Sequence, residues 1–439
     1  MFKKKIMSLA LVLVLLVGTV VVLDSQAHAG WWPFGGDEKE ENKQEEITIW
    51  AWNVAAKGLE ATIDDFKKDY PNTKVKVVNV GRKDAYDKLT VGLASGSGLP
   101  DIVQIESQRL PTYTSKFPDG FVDLTKYGAD KYIDKFDPSK WAQCKVGNKI
   151  MAMPWDSAPS GVFYRINLFE KAGVNPDEIK TWDDFIEAGV KIKEATGVKM
   201  ALYDFNDDGF YRMLMNQLGT FYFNDQGEIT INSDKAVKAM GVLEEMVNKD
   251  IALKINGWNG YVTATKNKRV ATVPFGVWYA GTIKDQDPKS KGNWGVMKLP
   301  AFEEGGNRAA QLGGSNLAVT SQSENKKLAW KFVENAVAET KNQITMYEKY
   351  GLFPSYLPAY KHEYFEEQSE FFNGQNISKL FSSTVPDIKK AYFTNDFSEA
   401  LQFVVNAQAA VVTGEKNPEE ALDDAAKKIS NAVDREIAK

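Results

Sequence analysis

The sequence predicts an α/β protein built on a doubly wound, mostly parallel sheet, and three observations carry that prediction. An apolar run, Ile47-Thr-Ile-Trp-Ala-Trp52, is followed by two strand-helix alternations that end in a further apolar run at residues 101–105, which is the βαβαβ order. Helix-opening signals recur at Thr181, Ser233 and Asn417,. About 410 residues remain after the first 29, enough for two or three domains that each bury a core,.

Taken in order, Leu59, Ile63, Phe66 and Tyr70 recur at helical spacing and stop at Pro71-Asn72,. Val75, Val77 and Val80 mark an extended segment; Tyr86, Leu89 and Leu93 mark a second helix closed by Gly96, Gly98 and Pro100,. Ser233 precedes a helix carrying Val237, Met240, Leu243 and Val247. Asn417-Pro-Glu-Glu420 precedes a last helix whose apolar stripe is expected to run Leu422, Ala426, Ile429, Val433 and Ile437,.

The N-terminus reads as an export signal. Lys3, Lys4 and Lys5 precede a nearly wholly apolar stretch over residues 6–23, and Ala27-His28-Ala29 has the small-x-small pattern of a cleavage site,. Residues 1–29 are therefore a signal peptide, or an uncleaved anchor, since the apolar stretch is about long enough to cross a bilayer,. Residues 30–46 read as an acidic, solvated linker that begins with Trp31 and Trp32,.

The net charge is −5, or about −7 once the three lysines and Asp24 of residues 1–29 are removed. No basic stripe offers nucleic acid an electrostatic foothold. Cys144 is the only cysteine, which excludes an intramolecular disulfide, a cysteine-based metal site and a lipid-bearing cysteine beside the cleavage site,. The run Asp204-Phe-Asn-Asp-Asp-Gly209 opens like a calcium loop but has Met215 at the twelfth position, where a bidentate Glu is required,. Neither a metal nor a cofactor is expected. Catalysis has little support, because His362 is the only histidine after the signal and no nucleophile elbow, phosphate loop or zinc motif is present,.

Binding is better supported. Trp52, Asn53, Glu106 and Ser107 fall at the carboxyl ends of neighbouring strands, where open α/β sheets hold small ligands,. Each has a plainer alternative: Asn53 as a helix N-cap, and Glu106 as the partner of Arg109 in a surface ion pair.

Several segments together resemble the extracellular solute-binding proteins of carbohydrate ABC importers, the maltose-binding-protein-like group. They are Ile-Trp-Ala-Trp52-Asn, Phe66-Lys-Lys-Asp-Tyr-Pro71, Ala94-Ser-Gly-Ser-Gly-Leu-Pro-Asp101, Gly161-Val-Phe-Tyr-Arg-Ile-Asn-Leu-Phe-Glu-Lys-Ala-Gly173, Thr181-Trp-Asp-Asp-Phe and Leu312-Gly-Gly-Ser-Asn-Leu-Ala-Val319. The resemblance implies two doubly wound α/β lobes of the type II periplasmic-binding-protein fold, joined by a multi-strand hinge, with sugar held in the cleft between them. Lobe one is expected to comprise residues 47–155 with 301–352, and lobe two residues 156–300 with 353–439. The chain would cross near 154–159, 298–301 and 352–356.

The resemblance also implies a role outside the cytoplasm, in the periplasm or on the outer face of the membrane. There a monomer would capture sugar and deliver it to the permease subunits of an ABC importer. Sugar capture needs flat apolar faces and hydrogen-bonding groups, because a pyranose presents a C–H face to indole and hydroxyls to carboxylates and amides. Trp278 and Tyr279, in a segment similar to the family's second-lobe tryptophan, are the expected platform. Trp258 is a further aromatic candidate, Trp155 and Asp156 lie at the expected hinge, and Asp207 is a candidate from the nearby loop. Gly313 and Gly314 would admit ligand close to the backbone or form a tight turn. Few cationic residues accompany these positions, which favours a neutral oligosaccharide over an anionic one. The alternatives are a surface glycan-binding protein with no transport role and a glycoside hydrolase using Glu106 and Asp156.

Overall fold

The structure, a computed structural model, describes residues 45–438. The expected signal segment and the linker as far as residue 44 lie outside the described residues. Strand β1 (Glu46–Ala51) pairs in parallel with β2 (Lys74–Asn79), Glu46 standing opposite Lys74, so the last acidic residue assigned to the linker opens the first strand. On its other edge β1 takes β3 (Ile102–Glu106), also in parallel. Side chains of β1 alternate as a strand requires. Ile47, Ile49 and Ala51 enter the main core, while Trp50 and Trp52 face a second apolar cluster containing Tyr86, Leu89, Val103, Ile105 and Tyr113.

The helical run that ends at Tyr70 is two helices, Asn53–Glu60 and Ile63–Asp69. Thr62 interrupts it, its hydroxyl donating to the Leu59 carbonyl. Helix Arg82–Ser95 ends on Gly96 at φ +73°, the left-handed closure that glycine allows without steric cost,.

A short hairpin, β4 (Lys145–Val146) with β5 (Lys149–Ile150), precedes β6 (Met153–Pro154). The chain then forms β7 (Ser160–Arg165), β8 (Ala201–Asp204), β9 (Ala252–Ile255), β10 (Thr272–Gly276), β11 (Trp294–Lys298) and β12 (Ser315–Val319). The first sheet has the order β2-β1-β3-β12-β6, with β12 antiparallel to both neighbours. In the second, β7 lies antiparallel between β10 and β11, and β8 runs parallel to β9. A parallel bridge from Lys199 to Val270 and a bond from the Thr272 N–H to the Met200 carbonyl at 2.8 Å join these parts. The resulting order, β9-β8-β10-β7-β11, repeats the plan of the first sheet. Helices flank both, giving two α/β lobes.

The segments between the sheets bond to one another. Asp156 bridges to Pro354 and Pro159 to Gln311, and the Trp155 N–H donates to the Ser315 carbonyl at 3.2 Å. Residues 301–311 lie against second-sheet helices: the Trp182 N–H at the start of helix Trp182–Thr196 donates to Ala301 O at 2.9 Å, and the Gln311 N–H donates at 2.9 Å to Oδ1 of Asn216 in helix Gly209–Leu218.

Helix Trp182–Thr196 carries a full capping box between Thr181 and Asp184, worth about 1 kcal/mol. Asn417 caps helix Pro418–Val433 by accepting from the Glu420 N–H at 3.0 Å. That helix stops short of Ile437, because Asp434 turns left-handed at φ +52°. Ile437 instead bridges to Ile229 outside the helix, which corrects the last member of the expected stripe.

Candidate functional site

The two lobes face each other at the carboxyl ends of β1, β2 and β3. Across that gap, Lys57 Nζ of the first lobe meets Asp285 Oδ1 of the second at 2.5 Å, and Arg82 reaches to 4.0 Å from Asp207. Thr112 and Ser398 pair their hydroxyls at 3.3 Å. Each of these contacts joins residues more than 100 positions apart and none lies in a sheet.

Glu106 ends β3 at the centre of this gap. Arg82 clasps it through Nε at 2.9 and 3.0 Å and through a terminal nitrogen at 2.9 Å, and Arg109 Nε lies 3.6 Å away. The Tyr86 hydroxyl donates to its carboxylate at 3.0 Å and accepts from its N–H at 3.0 Å. Burial alone would push the Glu106 carboxyl up, but the Arg82 and Arg109 guanidiniums outweigh it and hold the pKa below the ordinary value,. The carboxylate is therefore ionised and oriented. Arg109 is the partner expected from sequence; Arg82 is the stronger one.

Opposite, Asp207 accepts from the Gly209 N–H at 2.9 Å. Its neighbours in the acidic run have other work. Asp204 accepts from the Asn206 and Gly257 N–H groups, and the fully buried Asp208 pairs with Arg212 and takes the Tyr222 hydroxyl. The Asp204–Gly257 bond, 2.9 Å long, ties this loop to the start of helix Gly257–Lys266, which carries Trp258.

Trp258 and Trp278 lie side by side, ring centroids 5.7 Å apart and planes inclined by 33°, both partly exposed. The Trp278 Nε1–H donates to the Leu312 carbonyl at 2.9 Å, which fixes the indole against the segment leading into β12. Gly313 and Gly314 follow at φ +97° and +88°. A Cβ on Gly313 would stand 3.0 Å from Trp278 Nε1, and one on Gly314 would stand 2.7 Å from Lys140 Nζ, so both glycines admit a close approach,.

Behind them lies a buried polar cluster. Lys140, 1% exposed, donates to the Ser107 hydroxyl, which lies 3.3 Å from both the Gly314 carbonyl and Asn316 Nδ2. Asp156 accepts from the Ser315 N–H at 2.7 Å. Burial pushes the Asp156 carboxyl up to about 6 against the opposing pull of Lys140, and burial likewise lowers the Lys140 amine against the pull of Asp156,.

Trp52, Trp155 and Tyr279 stand apart from the gap. Trp52 is 7% exposed and packs on Tyr86 at 5.6 Å, because it shares the strand face that helix Arg82–Ser95 covers. The N-cap position of helix Asn53–Glu60 falls on Trp52, and Asn53 itself is left-handed at φ +52° beside Asn79, whose Oδ1 accepts its N–H at 3.2 Å. Trp155, 1% exposed, donates to the Met346 sulfur in the hinge core. Tyr279 is wholly buried and its hydroxyl meets Thr265 at 2.6 Å, so it supports the Trp278 turn from beneath. Lys140 and Thr282 gave no sequence signal, since an isolated Lys or Thr is ordinarily a surface residue.

A cavity of about 370 Å³ opens beside this region, between Asn53, Lys57 and Asn79 on one side and Trp258, Thr282 and Asp285 on the other.

Residues 51–343 match the family described as bacterial extracellular solute-binding protein. The chain is 33% identical over 378 residues to the lactose-binding protein of Rhizobium radiobacter, covering 81% of this chain and 86% of that one. It is 28% identical over 404 residues to the arabinooligosaccharide-binding protein of Bacillus subtilis (strain 168), covering 89% and 93%. Among solved structures, the ABC-transporter-associated binding protein of B. animalis subsp. lactis, in complex with β-1,6-galactobiose, superposes with a TM-score of 0.79 at 25% identity, covering 88% of this chain and 97% of that one. The GacH receptor of Streptomyces glaucescens superposes at 0.78 and 24% identity, over 90% and 99%, and supports the same fold. A match over two thirds of its length, on a two-lobed fold with the polar and aromatic groups gathered between the lobes, shows that this chain belongs to the bacterial extracellular solute-binding protein family.

Proposed function

We propose that the protein captures a neutral oligosaccharide between its lobes, outside the cytoplasm, and hands it to the permease of an ABC importer. The observation that carries this reading is the Arg82–Glu106 pair facing Asp207 across the gap, with the Trp258–Trp278 rings beside it. Rings supply apolar faces and the paired charges orient hydroxyls without leaving a net charge to attract an anion. The names of the relatives, which bind lactose and arabinooligosaccharide, support a sugar ligand. The ligand residues we propose are Asn53, Glu106, Asp207, Trp258 and Trp278, with Gly313 and Gly314 giving backbone access; Arg82 holds Glu106, and Ser107 and Asp156 brace the segment behind.

For lobe boundaries we propose residues 47–155 with 312–352, and 156–311 with 353–438, moving the middle crossing from 298–301 to about 311–315. The bonds of Ala301 and Gln311 to second-lobe helices support that shift. Membership of an extracellular family means that the chain is exported; cleavage after Ala29 and a monomeric state are part of the proposal. Against a two-carboxylate hydrolase, Asp156, the second acid it would need, is only 5% exposed and spends an oxygen on the Ser315 N–H behind the Gly313–Gly314 segment, which leaves it no open path to a sugar beside Glu106,.

A thermal-shift panel of arabino-, galacto- and malto-oligosaccharides, followed by solution scattering, tests this reading. A bound sugar should raise Tm by mass action and leave the lobes closed. Sugar cleavage, or binding confined to anionic compounds, would overturn it.

A further inference from the structure

A second cavity, of about 410 Å³, is lined by none of the residues that face the gap. It lies between helix Tyr279–Gln286, helix Thr340–Tyr350 and the segment from 364 to 378. Lys291 in its wall pairs with Glu370. Lys284, the other lysine, does not pair: among the described residues its amine has no hydrogen bond and no ion pair, and its close contact is the Phe372 ring at 5.9 Å. The side chain is half-buried, while the amine itself stays open to the cavity.

A lysine ordinarily carries its ammonium into water or onto a carboxylate. Here it sits in a cavity walled in part by Phe371 and Ile377. Burial lowers its pKa against the pull of Glu348, so it holds more of the neutral, nucleophilic amine than an exposed lysine does,. Glu348 lines the same cavity without forming an ion pair with Lys284. It therefore leaves the nitrogen lone pair free and stands clear of it, where a molecule attached to that nitrogen would extend. With Lys291 and Glu370 paired, the remaining charges are Lys284 against Glu348 and Glu367, a balance that repels anions and admits neutral molecules,.

We propose that Lys284 is a site of covalent modification by neutral reducing sugars, with Glu348 as the group that moves the proton in the second step. The neutral amine attacks the aldehyde carbon of the open-chain sugar; the N–C bond forms as the carbonyl π bond breaks, and the oxygen takes up a proton. Loss of that oxygen as water leaves an imine. Glu348 then takes the proton from C2 of the sugar and a proton is returned at C1, giving a ketoamine. C1 is reduced and C2 oxidised within one molecule, so no outside oxidant or reductant enters. The site is independent of the gap between the lobes and of what that gap holds.

Incubation of the protein with D-ribose near neutral pH, followed by peptide mapping in a mass spectrometer, tests the site. The ketoamine should form several-fold faster at Lys284 than at Lys289, an exposed lysine nearby. Glu348→Gln separates the two steps. With cyanoborohydride present, which captures each imine as it forms, Lys284 of this variant should react at least as fast as in wild type; without it, the ketoamine should accumulate several-fold more slowly. Glyoxylate, an anionic aldehyde, should not favour Lys284 over Lys289. Adducts ranked by exposure, with Lys284 no faster than Lys289 toward ribose, overturn the site. An unchanged ketoamine rate in Glu348→Gln overturns the role of Glu348, and an equal preference for Lys284 with glyoxylate overturns the neutral class of reactant.

Discussion

At the scale of single residues, the site depends on charges held in place before ligand arrives. Glu106→Gln would leave Arg82 and Arg109 facing a neutral amide. Because the Glu106 side chain is only 13% exposed, this should cost about 3 kcal/mol of stability and change the ranking of sugar epimers, readable by denaturant melts and calorimetry,. Trp278→Ala and Trp258→Ala should each weaken binding by roughly 2 to 3 kcal/mol with little change in that ranking, since an indole contributes area more than direction. Asp156 makes a pH prediction. Its folded pKa of about 6 lies above the ordinary 3.8, so the unfolded chain releases this proton first. The stabilising contribution is complete below pH 4 and is lost as pH rises through 6, on the order of 2 to 3 kcal/mol. Asp156→Asn should remove that fall in the urea midpoint between pH 4 and 7; an identical pH profile in the variant would mean that Asp156 is not held in its protonated form.

At the scale of elements, glycine decides how closely helices approach the hinge. A Cβ on Gly281 would come within 1.8 Å of the Tyr350 carbonyl oxygen and 3.0 Å of the Gly351 nitrogen, both backbone atoms that cannot swing aside. Gly281→Ala should therefore cost about 3 kcal/mol or more, at the upper end of overpacking, with a matching loss in thermal melts. Such a contact has no sequence signature. What could be read were local patterns: the alternation in β1, the capping box at Thr181, the Gly96 helix end and the Asn417 cap all state their conformation within a few residues. Trp52 misled because alternation gives the strand face but not which helix covers it, and the residue that ends a strand can still point into the core. Tyr279 misled because it opens the helix directly after Trp278, and one residue further round a helix is a rotation of about 100°, enough to turn it from the gap into the core,. Arg82 gave no sequence signal as the partner of Glu106, because it opens helix Arg82–Ser95 while Glu106 ends a strand 24 residues further on, and only the fold brings the two together.

At the scale of the whole molecule, the lobes are joined by hinge bonds and held together across the gap mainly by solvent-accessible ion pairs. Lys57 and Asp285 are 44% and 34% exposed, so salt screens them and their pairing contributes at most about 1 kcal/mol,. Without sugar, scattering in 1 M salt should show a larger radius of gyration than at low salt, and a bound sugar should restore the compact value; a salt-independent radius would put the closing force elsewhere. Strand order governs another property, the timing of assembly. Ser315–Val319 supplies the strand between Ile102–Glu106 and Met153–Pro154, so the sheet of the first lobe has a gap until residue 319 has left the ribosome. Contacts this distant in sequence form slowly, after the loop between them has closed. A chain still being made thus carries an unfinished N-terminal lobe for about three quarters of its synthesis. Polypeptide destined for export is thereby kept unfolded and threadable by the order of its strands, before any partner intervenes.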